Sequence, residues 1–149
     1  MKKIAVMFSA CLLFSLTVHS QPIPADKVPA KIKQAFSMKF LTATDVRYEL
    51  ELKTYEVNFK ENGVVKSATF DPSGNWLETE TERKESDLPK EISASVAKNF
   101  PGFKISEASI TETSDNRIFY EMVLKKNKEG YEVQLSPKGD ILKKTLLNK

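Results

Sequence analysis

One sequence pattern occurs twice in this chain, and the repetition limits the folds that it can adopt. Residues 28–40 and residues 88–100 both open with an apolar residue and a proline, and apolar residues then recur at every fourth position. Proline suits the first turn of a helix, where its missing N–H removes no hydrogen bond. The four-residue spacing places the apolar side chains on one face of a helix. We therefore predict two helices that each bury a single apolar stripe.

Strand patterns follow each predicted helix. Polar and apolar residues alternate in 46–52 and in 55–59, and the second of these segments aligns with 120–124. The segment 70–77 aligns with 135–142, and both contain the proline and glycine of a hairpin turn. The pattern predicts an α+β fold of two tandem repeats, each with a helix and a four-stranded antiparallel sheet, with the helices packed on one sheet face. Whether the two sheets join stays open, although joining them removes two exposed edges.

The first twenty residues predict export. Two lysines precede an apolar run at 4–18, which is the layout of a secretory signal peptide cleaved after Ser20. The run is too short for a comfortable transmembrane helix, so no membrane span is expected in the mature chain. The alternative is a lipoprotein signal that ends at Cys11. We divide the chain into a signal peptide (1–20), a first repeat (21–84) and a second repeat (85–149). The two repeats are expected to form one compact periplasmic or secreted unit.

Export removes the side chains on which most catalytic sites depend. Cys11 and His19 are the single cysteine and histidine, and both leave with the signal peptide. Sites built on them, whether nucleophilic or zinc-binding, are therefore excluded. We predict that the protein is not an enzyme, with paired carboxylates as the remaining catalytic alternative. Removing two lysines from the 23 basic residues leaves 21 against 20 acidic ones, so no nucleic-acid partner is expected.

The order of these motifs resembles that of the PepSY-like family of small periplasmic or secreted proteins. The proline-led helix at 28–40, the strand at 55–59 and the hairpin at 70–77 carry the resemblance, which covers nearly all of 26–147. That family is similar in fold to the β-lactamase inhibitory protein, which also has tandem helix-on-sheet units. The resemblance implies a binding or inhibitory role and no catalytic residues. The second repeat departs from the pattern, because it lacks the Asp and the Trp of the first hairpin.

The sheet face away from the helices is the candidate binding surface. With Phe70 and Leu77 taken as core residues, strict alternation places Trp76 on the opposite, uncovered face. Aromatic and aliphatic residues on such a face are typical of protein-binding hot spots. The alternative is that Trp76 covers a loop or the seam between the repeats. The predicted partner-binding residues are Trp76, Glu56, Glu78, Phe119, Val123 and Ile141, with Glu49, Glu51, Glu80, Glu121 and Glu132 as acidic neighbours.

These patterns favour an exported, non-catalytic binding or inhibitory module that engages a protein or peptide through its uncovered sheet face. The alternative function is a calcium- or small-ligand-responsive envelope protein. The segment 71–75 offers oxygen ligands at short spacing, as a calcium loop does, and Asp71 is the weak metal candidate. We favour a tight turn in which Asp71 bonds the backbone and Gly74 has a positive φ angle. No cofactor is therefore predicted, with calcium as the alternative.

Overall fold

A computed structural model describes residues 21–147. The chain forms one antiparallel sheet of nine strands, on which two α-helices pack, and this confirms the α+β class. Each strand pairs with its neighbours in sequence, so the sheet is a continuous meander. The strands are β1 (Gln21–Ile23), β2 (Ala43–Glu51), β3 (Thr54–Glu61), β4 (Val64–Phe70), β5 (Trp76–Glu82), β6 (Lys104–Thr113), β7 (Ile118–Lys126), β8 (Glu129–Leu135) and β9 (Ile141–Leu146). The helices are α1 (Ala30–Lys39) and α2 (Lys90–Asn99), and a 3₁₀ turn at Glu85–Asp87 precedes α2.

The predicted signal peptide and the Cys11 alternative lie outside the described residues. Within residues 21–147, no helix is long and apolar enough to cross a membrane.

Both helices start where the sequence predicts them. Pro29 and Pro89 are the N-cap residues, and the carbonyl oxygen of each accepts a hydrogen bond from the backbone N–H three residues later, at 3.0 and 3.1 Å. A proline at this position removes no helical hydrogen bond, because the first N–H groups of a helix have no acceptor within the helix. Each helix buries a pair of apolar residues one turn apart, which anchors it to the sheet. These pairs are Ile32 with Phe36, and Ile92 with Val96.

The sheet is single because β5 and β6 pair over five residues each, from Glu78 opposite Thr113 to Glu82 opposite Ser109. This pairing joins an N-terminal half (β1, α1 and β2–β5) to a C-terminal half (α2 and β6–β9). The sheet has nine strands rather than the eight of two four-stranded repeats, because β1 adds to the free edge of β2. The two-repeat layout itself stays a prediction.

Each helix covers its own apolar core, and both cores lie on the same face of the sheet. Ala68 in the first core is opposite Thr79, which in turn is opposite Glu112. Glu112 and Ala108 are four residues apart on β6, so their side chains lie on the same face of the sheet. Since Ala108 belongs to the second core, the two cores share that face. The first core contains Val28, Ile32, Phe36, Phe40, Val57, Phe59, Ala68 and Phe70. The second contains Leu88, Ile92, Val96, Phe100, Ala108, Met122, Leu124, Val133 and Leu135. Burial of each large side chain stabilises the fold by about 1.5–3 kcal/mol.

A one-residue bulge at the start of β5, repeated in β9, corrects two predicted positions. Thr69 is opposite Glu78, but Phe70 is opposite Trp76, so Leu77 is an extra residue in β5. The same shift places Ile141 opposite Leu135 in β9. One extra residue reverses which face a side chain takes. The prediction that Trp76 and Ile141 lie on the uncovered face is therefore wrong, and both lie on the helix-covered face.

The hairpin turns before β5 and β9 pack against the helices. A Cβ atom added at Gly139 would lie 2.7 Å from the backbone oxygen of Glu91 in α2, and one added at Gly74 would lie 3.4 Å from that of Lys31 in α1. Both glycines have positive φ angles, which other residues adopt at a cost. The Ser95 hydroxyl also donates a 2.6 Å hydrogen bond to the carbonyl oxygen of Gly139. Glycine is therefore required most strictly at position 139.

Candidate functional site

The sheet face opposite α1 and α2, here called the open face, carries a continuous field of glutamates. No helix in the described part of the chain lies on it. The strand pairings place nine glutamates there: Glu49, Glu51, Glu56, Glu78, Glu80, Glu82, Glu107, Glu121 and Glu132. Hydroxyl side chains fill much of the space between them, at Ser67, Thr69, Ser109, Thr111 and Thr113. The face is thus built from strand positions that alternate with the apolar core positions.

Many of these polar side chains are buried although no described helix covers them. Glu51 and Glu132 are buried, as are Thr69, Thr111 and Thr113. Their burial comes from the packing of neighbouring side chains on the sheet, since directly opposed residues have Cβ atoms only about 4.5–5.5 Å apart. The open face is therefore a partly desolvated polar surface rather than a fully hydrated one.

Burial and mutual repulsion raise the pKa values of glutamates on this face toward neutral pH. The pKa values of Glu56, Glu78 and Glu80 are each raised to about 7, first by burial and then by neighbouring glutamates. Burial also raises the pKa of Glu121 and of Glu132. A carboxylate out of water favours its neutral form unless an opposite charge compensates it. The open face consequently holds protons at pH values where an ordinary glutamate has lost them.

Hydrogen bonds hold Glu121 in place at the centre of the C-terminal half. The Thr111 hydroxyl donates to one of its carboxylate oxygens at 2.8 Å, and the Gln134 side-chain amide donates to the other at 3.3 Å. Lys143 acts on it electrostatically from β9. Both oxygens of this carboxylate are therefore oriented by neighbours on the same face.

Positive charges are placed around the glutamate field. Arg117 lowers the pKa of Glu78, and Lys143 lowers that of Glu121 and Glu132, but in each case burial outweighs the cation. The Lys125 ammonium lies 3.9 Å from a Glu107 carboxylate oxygen, and both side chains are about half exposed. A pair at that distance and exposure contributes little to stability. The resident cations therefore leave much of the acidic field uncompensated.

Four of the six predicted partner-binding residues lie on the open face. Glu56 and Glu78 are half-buried there, within the glutamate field. Phe119 and Val123 also lie on this face, opposite Thr111 and Glu107, but they are only 8% and 4% exposed. They therefore present little surface to a partner. Whether any of the four binds a partner stays a prediction.

Trp76 and Ile141 instead occupy the helix-covered face. The Trp76 ring packs against the first core, and its Nε1–H donates a 2.9 Å hydrogen bond to the Thr79 hydroxyl. The Lys39 ammonium lies 3.6 Å from the centroid of the indole. Ile141 stands at the equivalent place by α2 and is 40% exposed. The position of Trp76 against the first core does not fit an exposed anchor, and the alternative that Trp76 covers a loop or the seam between the repeats stays a prediction.

The sequence prediction missed the contribution of β6 to the open face. Glu107, Ser109, Thr111 and Thr113 alternate along this strand with residues of the helix-covered face, and Glu82 continues the series in β5. The alternation of polar residues in 107–113 is the signal that could have identified them.

Asp71 closes a hairpin turn, as the favoured interpretation holds. One of its carboxylate oxygens accepts hydrogen bonds from the backbone N–H groups of Ser73 and Asn75, at 2.8 and 2.9 Å. The other accepts from the Asn75 side-chain amide at 2.8 Å, and these bonds lower the pKa of Asp71, the Asn75 side-chain amide most strongly. Across residues 21–147, no group of three or more acidic, His or Cys side chains has the geometry of a metal site. Calcium binding at this turn stays the untested alternative.

The fold and sequence have recognisable relatives. A "putative periplasmic proteins" structure from Bacteroides eggerthii is 17% identical with a TM-score of 0.76, covering 80% of this chain and 88% of its own. A DUF2874 family protein from Bacteroides uniformis is also 17% identical with a TM-score of 0.76, over 80% and 89% of the two chains. A BLIP-like protein from Bacteroides fragilis is 19% identical with a TM-score of 0.73, over 85% and 89%. At this identity the likeness shows a shared fold. A comparison with curated proteins finds no match.

The family assignment rests on the sequence itself. A family model described as "Putative beta-lactamase-inhibitor-like, PepSY-like" matches residues 15–64 and 53–143. The two matches overlap and together span most of the chain, including both helices and nearly all of the sheet. The chain therefore belongs to the PepSY-like family.

Proposed function

We propose that this chain is an exported, non-catalytic binding module that holds a protein or peptide partner on its open face. The observation that carries the proposal is the field of partly buried glutamates, three of which have pKa values raised to about 7. Burial of carboxylates without compensating charge costs stability. This loss of stability extends over several strands. It has a functional explanation if a bound partner supplies the opposite charges and hydrogen-bond donors that the buried carboxylates lack.

The same surface fits a partner better than a substrate. The described chain, residues 21–147, contains neither His nor Cys, so its reactive groups are carboxylates, amines, hydroxyls and phenols. The open face spreads its carboxylates over six of the strands between β2 and β8, all but β4, rather than concentrating a pair at a deep cleft. A wide, charge-bearing sheet face suits the contact area of a protein interface.

Relatives support the module's class and place. The family description refers to inhibitors, and the neighbour from B. fragilis is described as BLIP-like. The neighbour from B. eggerthii is described as periplasmic, which agrees with the export signal that the sequence predicts. We further propose that the two halves are tandem copies of one unit, because each has a proline-led helix followed by four strands with a bulge in the last.

Partner capture with matched face variants tests this function. Tagged protein is expressed in its native host and recovered from envelope extracts. The variants are the open-face pair Glu56→Gln and Glu78→Gln, and the control Glu112→Gln on the helix-covered face. We expect wild type and the control to retain the same partner and the open-face variant to lose at least about 90% of it. Equal retention by all three proteins would contradict the proposal.

A further inference from the structure

A hollow lies on the open face at the seam between the two halves. It lies where β5 and β6 meet and has a volume of about 240 Å³. Its polar lining includes the side chains of Glu80, Glu82, Ser109 and Glu121, here called the seam cluster. Three of these four residues carry carboxylates, and the pairings place Ser109 directly between Glu82 and Glu121. The hollow thus brings acidic groups from both halves of the chain to one point.

Ser109 gives this cluster a feature that the rest of the glutamate field lacks. Its side chain is only 3% exposed, and the hydroxyl reaches no atom of the described residues at hydrogen-bond geometry. The hydroxyl is near enough to the Glu80 carboxyl to offset part of the rise in the pKa of that group. Thr111, by contrast, uses its hydroxyl to bond Glu121 at 2.8 Å. A buried hydroxyl without a well-formed hydrogen bond, in the lining of a hollow, has capacity left to accept a further donor.

The chemistry of the cluster selects a nitrogen cation. Three carboxylates around one hydroxyl oxygen offer acceptors to an ammonium with three N–H donors, or to a guanidinium with five. The described residues supply no group with metal-site geometry, so a coordinated metal ion does not fit. Two cations act near the hollow: Arg83 lines it and donates a 3.4 Å hydrogen bond to the backbone oxygen of Glu82, and Lys143 acts on Glu121 electrostatically. Among the described residues, neither cation forms an ion pair with a seam-cluster carboxylate.

We propose that the seam cluster receives one lysine or arginine side chain of the protein partner, an inference that rests on the proposed function. The partner's cation would lie between Glu80 and Glu121, with the Ser109 hydroxyl as a further acceptor. Charge-assisted hydrogen bonds of this kind are about twice as strong as neutral ones. The seam cluster would then set which basic residue of the partner fixes its position on the open face.

A peptide titration followed by NMR tests the inference on the full mature chain at pH 8, above the pKa of about 7 of the Glu80 carboxyl. The probes are tetralysine and, as a matched control, tetra-(acetyl-lysine). We expect tetralysine to give saturable shifts centred on the backbone amides of Ser109 and Glu121, and the acetylated peptide to give none. The double variant Glu80→Gln with Glu121→Gln should weaken tetralysine binding at least about tenfold. The single variant Glu112→Gln on the helix-covered face should leave it unchanged.

Three results would overturn the inference. The first is a tetralysine affinity that is the same in the double variant as in wild type. The second is a set of shifts spread over all acidic surfaces. The third is equally tight binding of free spermidine at the same amides, which would assign the site to a small polyamine. Thermal unfolding of each variant shows that it is folded.

The failure of this inference is distinguishable from the failure of the proposed function. Capture that is lost with Glu56→Gln and Glu78→Gln but kept with Glu80→Gln and Glu121→Gln removes the seam cluster and leaves the open-face function standing. Capture that is unaffected by either pair removes both.

Discussion

The two faces of this sheet are both packed, but packing has opposite consequences on them. On the helix-covered face, Phe70 and Leu124 are fully buried among apolar neighbours, which stabilises the fold. On the open face, Thr69 and Glu132 are almost as buried, but they lie among carboxylates whose pKa values are raised. One face therefore stabilises the fold, whereas the other is retained at a cost in stability.

The helix-covered face should contain the costliest substitutions. Phe70 is fully buried and contacts the ring of Phe36 edge-on, with centroids 6.5 Å apart. Phe70→Ala should lower the free energy of unfolding by about 3–5 kcal/mol, because it removes an aromatic ring and leaves a cavity. Urea unfolding measures this change. Met38→Ala in the same half is the control: Met38 is 72% exposed, so its loss should change stability by less than about 0.5 kcal/mol. A cost below about 1 kcal/mol for Phe70→Ala would show that this face is not the structural one.

The open face should make the protein less stable as pH rises. The pKa values of Glu56, Glu78 and Glu80 are about 7 in the folded chain, against 4.5 for an ordinary glutamate. Between pH 4.5 and 7 the folded chain therefore holds more protons than the unfolded chain, and the free energy of unfolding decreases as pH rises through this window. We expect a loss of about 3 kcal/mol or more between pH 5 and pH 8, since one pKa unit corresponds to about 1.4 kcal/mol.

Urea unfolding at a series of pH values measures that slope. The triple variant with Gln at these three positions should be more stable than wild type at pH 8 and should show a much flatter profile. The Glu112→Gln control should follow wild type. A wild-type stability that is constant or increases from pH 5 to pH 8 would contradict the assignment of buried charge to the open face.

The turn that packs on α2 should tolerate change less than its counterpart on α1. Gly139→Ala places a Cβ atom 2.7 Å from the Glu91 carbonyl oxygen, whereas the same change at Gly74 meets the Lys31 oxygen at 3.4 Å. In both variants the alanine is strained by the positive φ angle. In Gly139→Ala the turn or the helix must also shift to relieve the close contact. We expect losses of about 2 kcal/mol and about 1 kcal/mol respectively. Thermal unfolding of the two variants measures the difference, and equal losses would show that the C-terminal turn does not press on α2.

The smallest effect is expected for Trp76, and it tests the corrected position of this residue. Trp76→Phe keeps an aromatic ring against the first core but loses the hydrogen bond to Thr79. It also replaces the indole beneath the Lys39 ammonium with a smaller ring. Stability should fall by about 1 kcal/mol, while partner capture stays at the wild-type level. A loss of capture without a loss of stability would return Trp76 to the binding surface.

The periodicity of the sequence predicts the helices and most of the two faces. The four-residue apolar spacing locates α1 and α2, and alternation assigns Glu56 and Glu78 to the face away from them. These features are local, so a single sequence reveals them. Glu80 and Glu121 follow by the same rule.

The rest depends on registers that the sequence does not display. A single extra residue, Leu77, reverses the face of Trp76, and nothing in the residue types around it signals the bulge. The pairing of β5 with β6 joins the halves through long-range contacts, so the surroundings of Ser109 become visible only in three dimensions. Strand β1 is three residues long and includes a proline, which disfavours a strand prediction.

Site-specific photo-crosslinking in the native host tests most directly whether the open face is the binding surface. A photoreactive residue is placed at Asn58 on the open face or at Glu112 on the helix-covered face, and each protein is irradiated in intact cells. We expect a discrete crosslinked partner from position 58 and none from position 112. A partner crosslinked from position 112 alone, or none from either position in a properly folded protein, would contradict it.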